Sequence, residues 1–310
     1  MRTSKTDQGV RDQSKVKPTL AISFSGGRTS AVMTKLCFEK FKDTHEIAVT
    51  FANTGCEHEN TLRFVDQCDK AFGWNVAWVE AIVTMGERKG IRAKVVTFET
   101  ASRNGEPFEA AIKKYGMPDR NHPHCNARLK TEVMYAYLRD ELGWKRRTYW
   151  SAIGIRADEM DRVSSKRIQN KFLYPLADAG WTKEDVKREC ASWGFDLELK
   201  GEHYGNCTFC WKKSNRKLMT LAQESPQVFN FPIRMEAAHG WTNNTDTNKR
   251  VMFRERRSAL DIIELARTRD FTPYSDAELQ DGQLISMADY DVWLDTGSGC
   301  GESCEIGADD

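Results

Sequence analysis

Residues 25–30, with the sequence Ser-Gly-Gly-Arg-Thr-Ser, have the composition and the setting expected of a phosphate-binding loop. An apolar stretch precedes them and an amphipathic stretch with Val32, Met33 and Leu36 follows, which predicts a strand, a tight turn and a helix. Two adjacent glycines let the main chain approach a ligand closely, and the N–H groups that begin a helix favour an anion. Hydroxyl groups and one guanidinium group add further donors. The predicted ligands are Ser25, Gly26, Gly27, Arg28, Thr29 and Ser30.

This loop differs from two common phosphate-binding patterns. It lacks the lysine of the Walker pattern G-x-x-x-x-G-K-[ST] and the spacing of the dinucleotide pattern G-x-G-x-x-G. It resembles the PP-loop, S-G-G-x-x-S, of the ATP pyrophosphatase superfamily, in which the loop holds the pyrophosphate of ATP. The alternative is an ordinary Gly-Gly turn that a serine caps.

Three later segments carry polar residues where predicted strands end. In residues 51–62, a turn at the mouth of the sheet contains the candidate ligands Asn53, Thr54 and Gly55. Residues 153–162 place two arginines beside a turn, and a guanidinium group can contact a phosphate through two N–H groups. The candidates there are Gly154, Arg156 and Arg162, and the alternative for the arginines is surface pairing with Asp158 and Asp161. Residues 174–186 begin with Tyr-Pro-Leu and end with Asp-Val.

These segments, in this order, resemble the phosphoadenosine phosphosulfate (PAPS) reductase family over about residues 19–215. That family shows a PP-loop, a later T-G strand end, a G-x-R-x-x-E/D-x-x-R loop and a P-L segment followed by D-V. The resemblance implies an adenine nucleotide, ATP or PAPS with Mg²⁺, as the ligand. It also implies that Arg28, Arg156 and Arg162 stabilise charge on the phosphates. Small proteins of this kind are common in phage and mobile elements. Because the sequence shows no apolar membrane-spanning run and no secretory signal, the expected location is the cytoplasm, that of the host if a phage encodes the chain.

Cysteines form a second candidate site. Cys207 and Cys210 form a C-x-x-C pair, and Cys125 precedes them in the sequence His-Cys-Asn. This layout is similar to the [4Fe–4S] pattern of bacterial reductases in the family, in which a double cysteine stands where this chain has one. The resemblance implies that Cys125, Cys207 and Cys210 hold a cluster with one open iron. In one alternative Cys190 is a fourth ligand and no iron is open; in the other Cys190 belongs to the core. Zinc held by the three cysteines and a histidine, or no metal, are the alternatives.

Two further cysteines, Cys300 and Cys304, lie in a stretch whose last thirty residues contain eight acidic and no basic side chains. Sulfonucleotide reductases carry a catalytic cysteine near the carboxyl end, so Cys300 is a candidate nucleophile. Acidic neighbours raise the pKa of a thiol and slow its attack. The tail could otherwise relay sulfur or serve as an accessory segment.

The intact loop favours an enzyme that uses ATP over a sulfonucleotide reductase, whose loop is generally degraded. Such an enzyme would adenylate an acceptor, release pyrophosphate and let a sulfur nucleophile displace AMP. The alternatives are a PAPS (or APS) reductase that uses Cys300, and a non-catalytic nucleotide- or nucleic-acid-binding module with a structural metal. A nucleic-acid acceptor or a sulfur-donor protein is a possible partner, and basic clusters at residues 145–147 and 212–217 would offer phosphate contacts.

The remaining sequence predicts the elements that position these residues. The 310 residues carry a formal charge of +1, and no apolar run is long enough to span a membrane. The first seventeen residues lack the apolar core of a secretory signal. Strand and helix patterns alternate, which predicts a doubly wound, mostly parallel α/β sheet of the Rossmann-like, PP-loop type with helices on both faces. The predicted parts are a disordered arm (1–17), the nucleotide-binding α/β domain (18–200), a helical cysteine-bearing region (201–280) and an acidic mobile tail (281–310).

Overall fold

The computed structural model describes residues 17–86, 89–245 and 247–276. The predicted arm, apart from its last residue, and the predicted acidic tail therefore lie outside the described residues, and so do Cys300 and Cys304. No helix within the described ranges is both long and apolar enough to cross a membrane.

One six-stranded sheet, ordered β4-β3-β2-β1-β5-β6, organises the described chain. Its strands are β1 (Thr19–Ser23), β2 (Glu46–Ala52), β3 (Ala77–Val83), β4 (Ile91–Val96), β5 (Trp150–Ala152) and β6 (Phe172–Leu173). Neighbouring strands are parallel except for β3 and β4. The chain runs outward from β1 to β4 on one side and then crosses to β5 on the other. In such sheets, ligands bind beyond the carboxyl ends of the strands at the point where the order reverses, here between β1 and β5.

Side chains of the central strands alternate between two cores, as the period of two in a strand requires. On β1, Leu20 and Ile22 enter one core and Ala21 enters the other. On β2, Phe51 enters the first core and Ala52 the second. One face of the sheet thus presents large side chains and the other presents alanines.

Helices cover both faces. In the described residues they are α1 (Arg28–Phe41), α2 (Glu59–Phe72), α3 (Glu106–Tyr115), α4 (Glu132–Asp140), α5 (Pro175–Asp178), α6 (Lys183–Ala191), α7 (Asn215–Glu224), α8 (Asn230–His239) and α9 (Ala259–Thr268). Helices α1, α2 and α6 share the core of the large side chains, while α3, α4 and α7–α9 share the core of the alanine face. The predicted doubly wound α/β fold with a mainly helical carboxyl-terminal region is confirmed.

Two predicted helices differ in how they begin. The sequence of residues 182–193 predicts a helix with Thr182 as its N-cap. The structure has α6 there, and Thr182 caps it by accepting a hydrogen bond from the Asp185 N–H. Residues 125–142 also have helical spacing, and the chain is helical from 125 to 140, but residues Ala127–Thr131 form a π-helical turn ahead of α4. π-Turns are rare in proteins as a whole, but many of those that occur lie at functional sites. The π-turn therefore draws attention to the residues around Cys125.

Candidate functional site

In the loop between β1 and α1, the Ser30 side chain forms hydrogen bonds across the loop, while no side chain caps the start of the helix. The Ser30 hydroxyl lies 2.9 Å from the Gly27 carbonyl oxygen, to which it donates, and 3.2 Å from the Ser25 nitrogen, from which it accepts. The Ser25 and Ser30 hydroxyls are 3.0 Å apart. Gly27 precedes α1 as its N-cap, and no side chain caps the first turn. The main-chain N–H groups of that turn lie at the carboxyl end of β1, where an anion would be expected.

Gly26 is required by packing as well as by backbone geometry. Its φ of +82° lies in the left-handed region that favours glycine. A Cβ atom at this position would lie 2.7 Å from Cγ2 of Thr61 and 3.1 Å from Cγ2 of Val65, both on α2. The sequence argument assigned this glycine to close approach of a ligand, and the structure shows that the space beside it is filled by α2.

Arg156, in the loop after β5, reaches the start of α1. It is 9% exposed, and its Nη1 donates to the Thr29 hydroxyl at 3.2 Å. Asp158 and Glu159 fix its guanidinium group, with N–O distances of 3.0 and 3.4 Å. Gly154 lies two residues earlier in the same loop. The structure thus brings together the first and third polar segments on either side of the strand-order reversal.

The other two predicted phosphate-binding arginines have different partners. Arg28 forms two hydrogen bonds with the Asp196 carboxylate, at 2.7 and 2.9 Å, and a third with the Leu197 carbonyl oxygen at 2.7 Å. Arg162 pairs with the partly buried Glu159. Of the predicted alternative pairings, the one with Asp158 is present for Arg156, and Arg162 uses neither Asp158 nor Asp161. In this arrangement Arg28 holds the 196–197 segment against α1, and the role of Arg28 and Arg162 at the phosphates stays a prediction.

The loop after β2 uses its polar side chains internally. Asn53 is fully buried, and its amide group donates to Glu80 at 2.7 Å and to the Ser102 carbonyl oxygen at 2.9 Å. Its amide oxygen accepts from the Gly55 N–H at 3.2 Å. Both the N–H and the hydroxyl of Thr54 donate to one carboxylate, that of Glu57, at 2.9 Å. The side chains of Asn53 and Thr54 therefore help to build the loop, and their role as nucleotide ligands stays a prediction.

A buried ion pair that sequence reasoning missed underlies this loop. The side chain of Glu57 is 1% exposed and lies 3.7 Å from the ammonium group of Lys130, which is 9% exposed. Lys130 belongs to the π-turn. A signal was present, because Lys130 lies three and four residues before Val133 and Met134, on the apolar side of the predicted helix.

Cys207 docks on the same loop. Its backbone forms an isolated bridge with Glu57, and the next residue, Thr208, donates to the Cys56 carbonyl oxygen at 3.1 Å. The Cys207 sulfur lies 3.4 Å from the Thr54 hydroxyl oxygen. Burial raises the pKa of the Cys207 thiol, and the negative charge of Glu57 raises it further. Burial likewise raises the pKa of Cys56, with a further contribution from Cys207.

The three predicted metal ligands come only partly together. Cys125 is close enough to influence the pKa of Cys207, and Cys210 lies one turn beyond Cys207, with its N–H donating to the Cys207 carbonyl oxygen. Within the described ranges, however, no three His, Cys, Asp or Glu side chains are arranged to hold a metal ion. The side chains as placed do not form a ligand set, so we derive no step through a metal, and the three-cysteine centre stays a prediction.

The predicted fourth ligand is elsewhere. Cys190 is fully buried in the core of the large side chains, beside Cys68, on the face of the sheet away from Cys207. Cys56 is the additional cysteine that lies near Cys207. Two buried polar atoms flank Cys125 without a hydrogen-bond partner, Nδ1 of His124 and Oδ1 of Asn126.

Comparisons with known proteins identify the family of this chain. The sequence profile of the phosphoadenosine phosphosulfate reductase domain matches residues 19–89, which hold β1, α1, β2, α2 and β3. The nin region protein ORF290 of Escherichia phage lambda is 34% identical over 291 residues, which cover 92% of this chain and 94% of that protein. Protein MJ0066 of Methanocaldococcus jannaschii is 27% identical over 69% of this chain and 41% of its own length.

A solved structure, that of the U34-tRNA thiolase NcsA from Methanococcus maripaludis with its [4Fe–4S] cluster, matches with a TM-score of 0.36 and 16% identity. The match covers 89% of this chain and 81% of that one. The lambda relative spans nearly the whole chain, and the PAPS reductase profile covers the part that contains the PP-loop. The chain therefore belongs to the PAPS reductase-like PP-loop family, in its phage type.

Proposed function

We propose that the protein binds ATP with Mg²⁺ at the loop between β1 and α1 and uses it to adenylate an acceptor for sulfur transfer. This proposal rests mainly on one observation: the buried side chain of Arg156 contacts the first turn of α1, and no side chain caps that turn. The first turn of α1 has no side-chain cap, and the guanidinium group of Arg156 lies 3.2 Å from the hydroxyl of Thr29 in that turn. Fixed N–H donors and a fixed cation, placed before the ligand arrives, stabilise developing negative charge most effectively.

In the proposed first step, an oxygen atom of the acceptor attacks the α-phosphorus of ATP. The bond from the α-phosphorus to the oxygen that bridges it to the β-phosphorus breaks, and pyrophosphate leaves with that oxygen. The N–H groups of the loop would hold the departing pyrophosphate, while Arg156 and Mg²⁺ would offset its charge. In the second step, a sulfur nucleophile attacks the acceptor carbon, and AMP leaves with the acceptor oxygen.

The intact loop supports ATP over PAPS as the nucleotide. The Ser30 hydroxyl and the Gly27 carbonyl oxygen hold the loop in a closed shape, and Ser25 adds a second hydroxyl beside them. A loop that keeps all these groups suits a ligand with a full pyrophosphate, whereas PAPS already carries its activated sulfate. The alternative, a reductase whose Cys300 attacks the sulfur of PAPS, depends on a residue outside the described ranges.

The source of the sulfur is a separate proposal. Cys56 lies in the loop after β2, Cys207 docks on that loop, and Cys125 is near Cys207. A [4Fe–4S] cluster on Cys125, Cys207 and Cys210 would require these side chains to move together. Iron and zinc content, together with the visible spectrum of protein purified without oxygen, tests this. If zinc is found, the three cysteines form a structural site. If neither iron nor zinc is found, the cysteines act as free thiols.

Pyrophosphate release from ATP tests the main proposal. Purified protein with ATP, Mg²⁺ and total RNA or DNA as acceptor is expected to release pyrophosphate, and AMP is expected to follow only when a sulfur nucleophile such as sulfide is added. ATP is also expected to bind more tightly than AMP in calorimetry. Sulfite release from PAPS in the presence of thioredoxin, without pyrophosphate release from ATP, would establish the reductase instead. Tight nucleotide binding with neither product would establish a binding module.

A further inference from the structure

We propose that a surface beside the candidate cysteine site binds single-stranded nucleic acid. Two segments form it: residues 117–124, which lead to Cys125, and residues 240–250, which follow α8. A base would stack on the exposed ring of Trp241, and the guanidinium group of Arg120 would contact a phosphate. An aromatic ring for the bases and cations for the backbone are the two features by which proteins hold single strands.

The main feature of this surface is an exposed tryptophan. Of the eight tryptophans that the structure describes, Trp241 alone is exposed, at 59%, and the others are buried or half-buried. Its ring makes no contact with another aromatic ring or with a cationic group among the described residues. The four residues that follow it, Thr-Asn-Asn-Thr, are polar. The ring therefore offers a face in a polar setting, which suits a base better than an apolar side chain.

Hydrogen bonds fix the loop that carries Trp241. The side-chain amide of Asn244 donates to the carbonyl oxygens of Gly240 and Asn248, at 3.3 and 2.8 Å. The Gly240 carbonyl oxygen also accepts from the Arg250 N–H, at 2.8 Å. The loop thus closes on the residue directly before Trp241. An aromatic side chain on a loop that is already fixed loses little conformational entropy when a ligand binds.

The two segments pack against each other through the neighbours of both proposed contact residues. The residue after Trp241 lies against Gly116, where a Cβ atom would be 2.6 Å from its carbonyl oxygen. The residue before Arg120, Asp119, pairs with Arg250, with Oδ2 and Nε 3.8 Å apart. These contacts place the exposed ring and the guanidinium group on one continuous part of the surface.

Arg120 is the cation that can contact a phosphate directly. It is exposed, and its guanidinium group has no partner among the described residues. Such a group can donate two N–H groups to one phosphate. Lys249 adds a second charge, and its side chain crosses Gly240, where a Cβ atom would lie 2.4 Å from it. Its ammonium group donates to the Ala237 carbonyl oxygen at 3.3 Å, which leaves two of its three N–H groups for a ligand.

The charge of this surface favours a polyanion. Residues 113–124 and 240–250 contain five basic and two acidic residues. One of the acids, Asp119, is 18% exposed, and its carboxylate already accepts two main-chain N–H groups, at 2.7 and 2.8 Å. The other, Asp246, lies outside the described residues. A nucleic-acid backbone gains affinity from each cation that it contacts, whereas a protein partner would require a larger apolar patch.

The two basic clusters that the sequence indicates have partners inside the chain. Lys213 donates to two main-chain carbonyl oxygens, at 3.1 and 2.6 Å, and Arg216 donates to two others, at 2.8 and 3.0 Å. The Arg146 guanidinium group lies 4.5 Å from the centre of the Tyr135 ring. Phosphate contacts by these clusters stay a prediction, and the surface around Trp241 uses none of these residues.

The surface leads to the candidate cysteine site. Nε2 of His124 lies 3.1 Å from the Gly116 carbonyl oxygen, so the segment folds back on itself directly before Cys125. A strand that contacts Arg120 is therefore held five residues along the chain from this cysteine. That the strand contains the acceptor of sulfur transfer rests on the proposed function, whereas its binding to the surface does not.

Binding of a fluorescent single-stranded oligonucleotide, followed by anisotropy without ATP, tests the surface. Trp241→Leu keeps an apolar side chain but removes the aromatic face, so it is expected to weaken binding about tenfold through the loss of one stacked base. Trp241→Phe keeps a ring and is the matched control, which should retain most of the affinity. Both variants should unfold near the wild-type temperature and bind ATP as the wild type does, because the ring is exposed and lies outside the nucleotide loop.

Arg120→Gln gives a second, independent arm. It removes one phosphate contact, so the affinity should fall and the slope of log Kd against log salt should decrease by about 0.7, the value for one contact to a single strand. Lys42→Gln is an equal loss of charge at an exposed residue at the carboxyl end of α1, and it should keep both the affinity and the slope.

Photocrosslinking with an iodouracil-containing oligonucleotide locates the bound base, and the crosslinked peptide is expected to contain Trp241. If Trp241→Leu binds the oligonucleotide as tightly as the wild type does, the proposal is overturned and the exposed ring is left for a protein partner. If binding depends on Trp241 but ATP yields no pyrophosphate, the surface stands and the adenylation proposal fails. Pyrophosphate release without binding that depends on Trp241 would overturn the surface alone.

Discussion

The loops that follow β1 and β2 both combine polar residues with a glycine of positive φ, yet they differ in how their side chains are used. After β1, Gly27 begins α1 without a side-chain cap, and main-chain N–H groups face the carboxyl end of the sheet. After β2, the Glu57 carboxylate accepts hydrogen bonds from the main-chain N–H groups of Thr54 and Cys56, at 2.9 and 3.3 Å. The first loop therefore leaves its main-chain donors for a ligand, whereas the second satisfies them with its own acid.

This difference teaches that loop position alone does not identify a ligand. Both loops lie at the carboxyl ends of parallel strands, where binding is expected. What separates them is whether the chain supplies its own anion. A loop that already contains a buried carboxylate has less reason to bind a phosphate, so we expect the second loop to position Cys207 and the first to bind nucleotide.

Neutralising the internal acid should have the largest effect. Glu57→Gln keeps the shape of the side chain but removes the negative charge that faces the buried ammonium group of Lys130. The free energy of unfolding, measured with urea, is expected to fall by about 3–5 kcal/mol because breaking a buried ion pair is costly. The double variant Glu57→Gln/Lys130→Met should recover part of this loss. A loss below about 1 kcal/mol would show that the second loop does not depend on its acid.

Replacing the two arginines beside α1 should separate binding from structure. Arg156→Met is expected to weaken ATP binding by about 1.5–3 kcal/mol, since it removes hydrogen bonds to a charged ligand. Arg28→Met should change ATP affinity little, because its guanidinium group is held by Asp196 and Leu197. Calorimetry with ATP on both variants, each checked for folding by circular dichroism, decides this. Equal losses would return Arg28 to the phosphate site.

Alanine at the two loop glycines should destabilise the protein unequally. A Cβ atom at Gly55 would lie 2.9 Å from the backbone nitrogen of Gly105, whereas at Gly26 its nearest contact is the methyl group of Thr61. A side chain can shift and a backbone cannot do so easily, so we expect Gly55→Ala to cost about 2–3 kcal/mol and Gly26→Ala about 1–2 kcal/mol. Urea unfolding measures both. If Gly26→Ala proves the more costly, the packing of α2 against the first loop is more rigid than its contacts indicate.

The features that local sequence determines were predictable. The strand, glycine turn and helix around residues 25–30 follow from hydrophobic periodicity, and the cap at Thr182 follows from its position before a helical pattern. The alternation of strands and helices was sufficient to predict the doubly wound sheet. The meeting of Arg156 with Thr29 also follows, in outline, from placing both loops at the carboxyl ends of neighbouring strands.

Pairings between distant residues were not predictable in the same way. Nothing in the sequence around Arg28 indicates that Asp196 will hold it, because that contact depends on how the segment after α6 returns to α1. The π-turn after Cys125 was also missed, since its residues have ordinary helical spacing. The arrangement of the cysteines is the hardest to predict, because a metal site requires three side chains from two distant segments to lie at one point.

Acidification should expose a smaller difference between the two helices that begin at these loops. The Nδ1 atom of His58 caps α2 by accepting a hydrogen bond from the Asn60 N–H at 3.1 Å, which only a neutral imidazole can do. Burial lowers the pKa of His58 in the folded protein, and the positive charge of Lys213 also lowers it. The pKa of His58 is thus lower in the folded protein than in the unfolded protein, where it is about 6.5. The resulting stabilisation is complete above pH 6.5 and is lost as the pH falls below that value.

The free energy of unfolding, measured with urea at several pH values, should therefore decline below pH 6.5, with about 1 kcal/mol or less due to this cap. His58→Asn replaces the nitrogen acceptor of the cap with an amide oxygen that cannot gain a proton in this range, so the stability of this variant should depend less on pH. The start of α1 has no titrating cap. ATP affinity between pH 7.5 and 6 should therefore not follow the titration of His58, and its change with pH should be the same in the wild type and in His58→Asn. An identical decline in the stability of both proteins would assign the pH dependence to other groups, such as the buried His203, whose pKa is also lowered by burial.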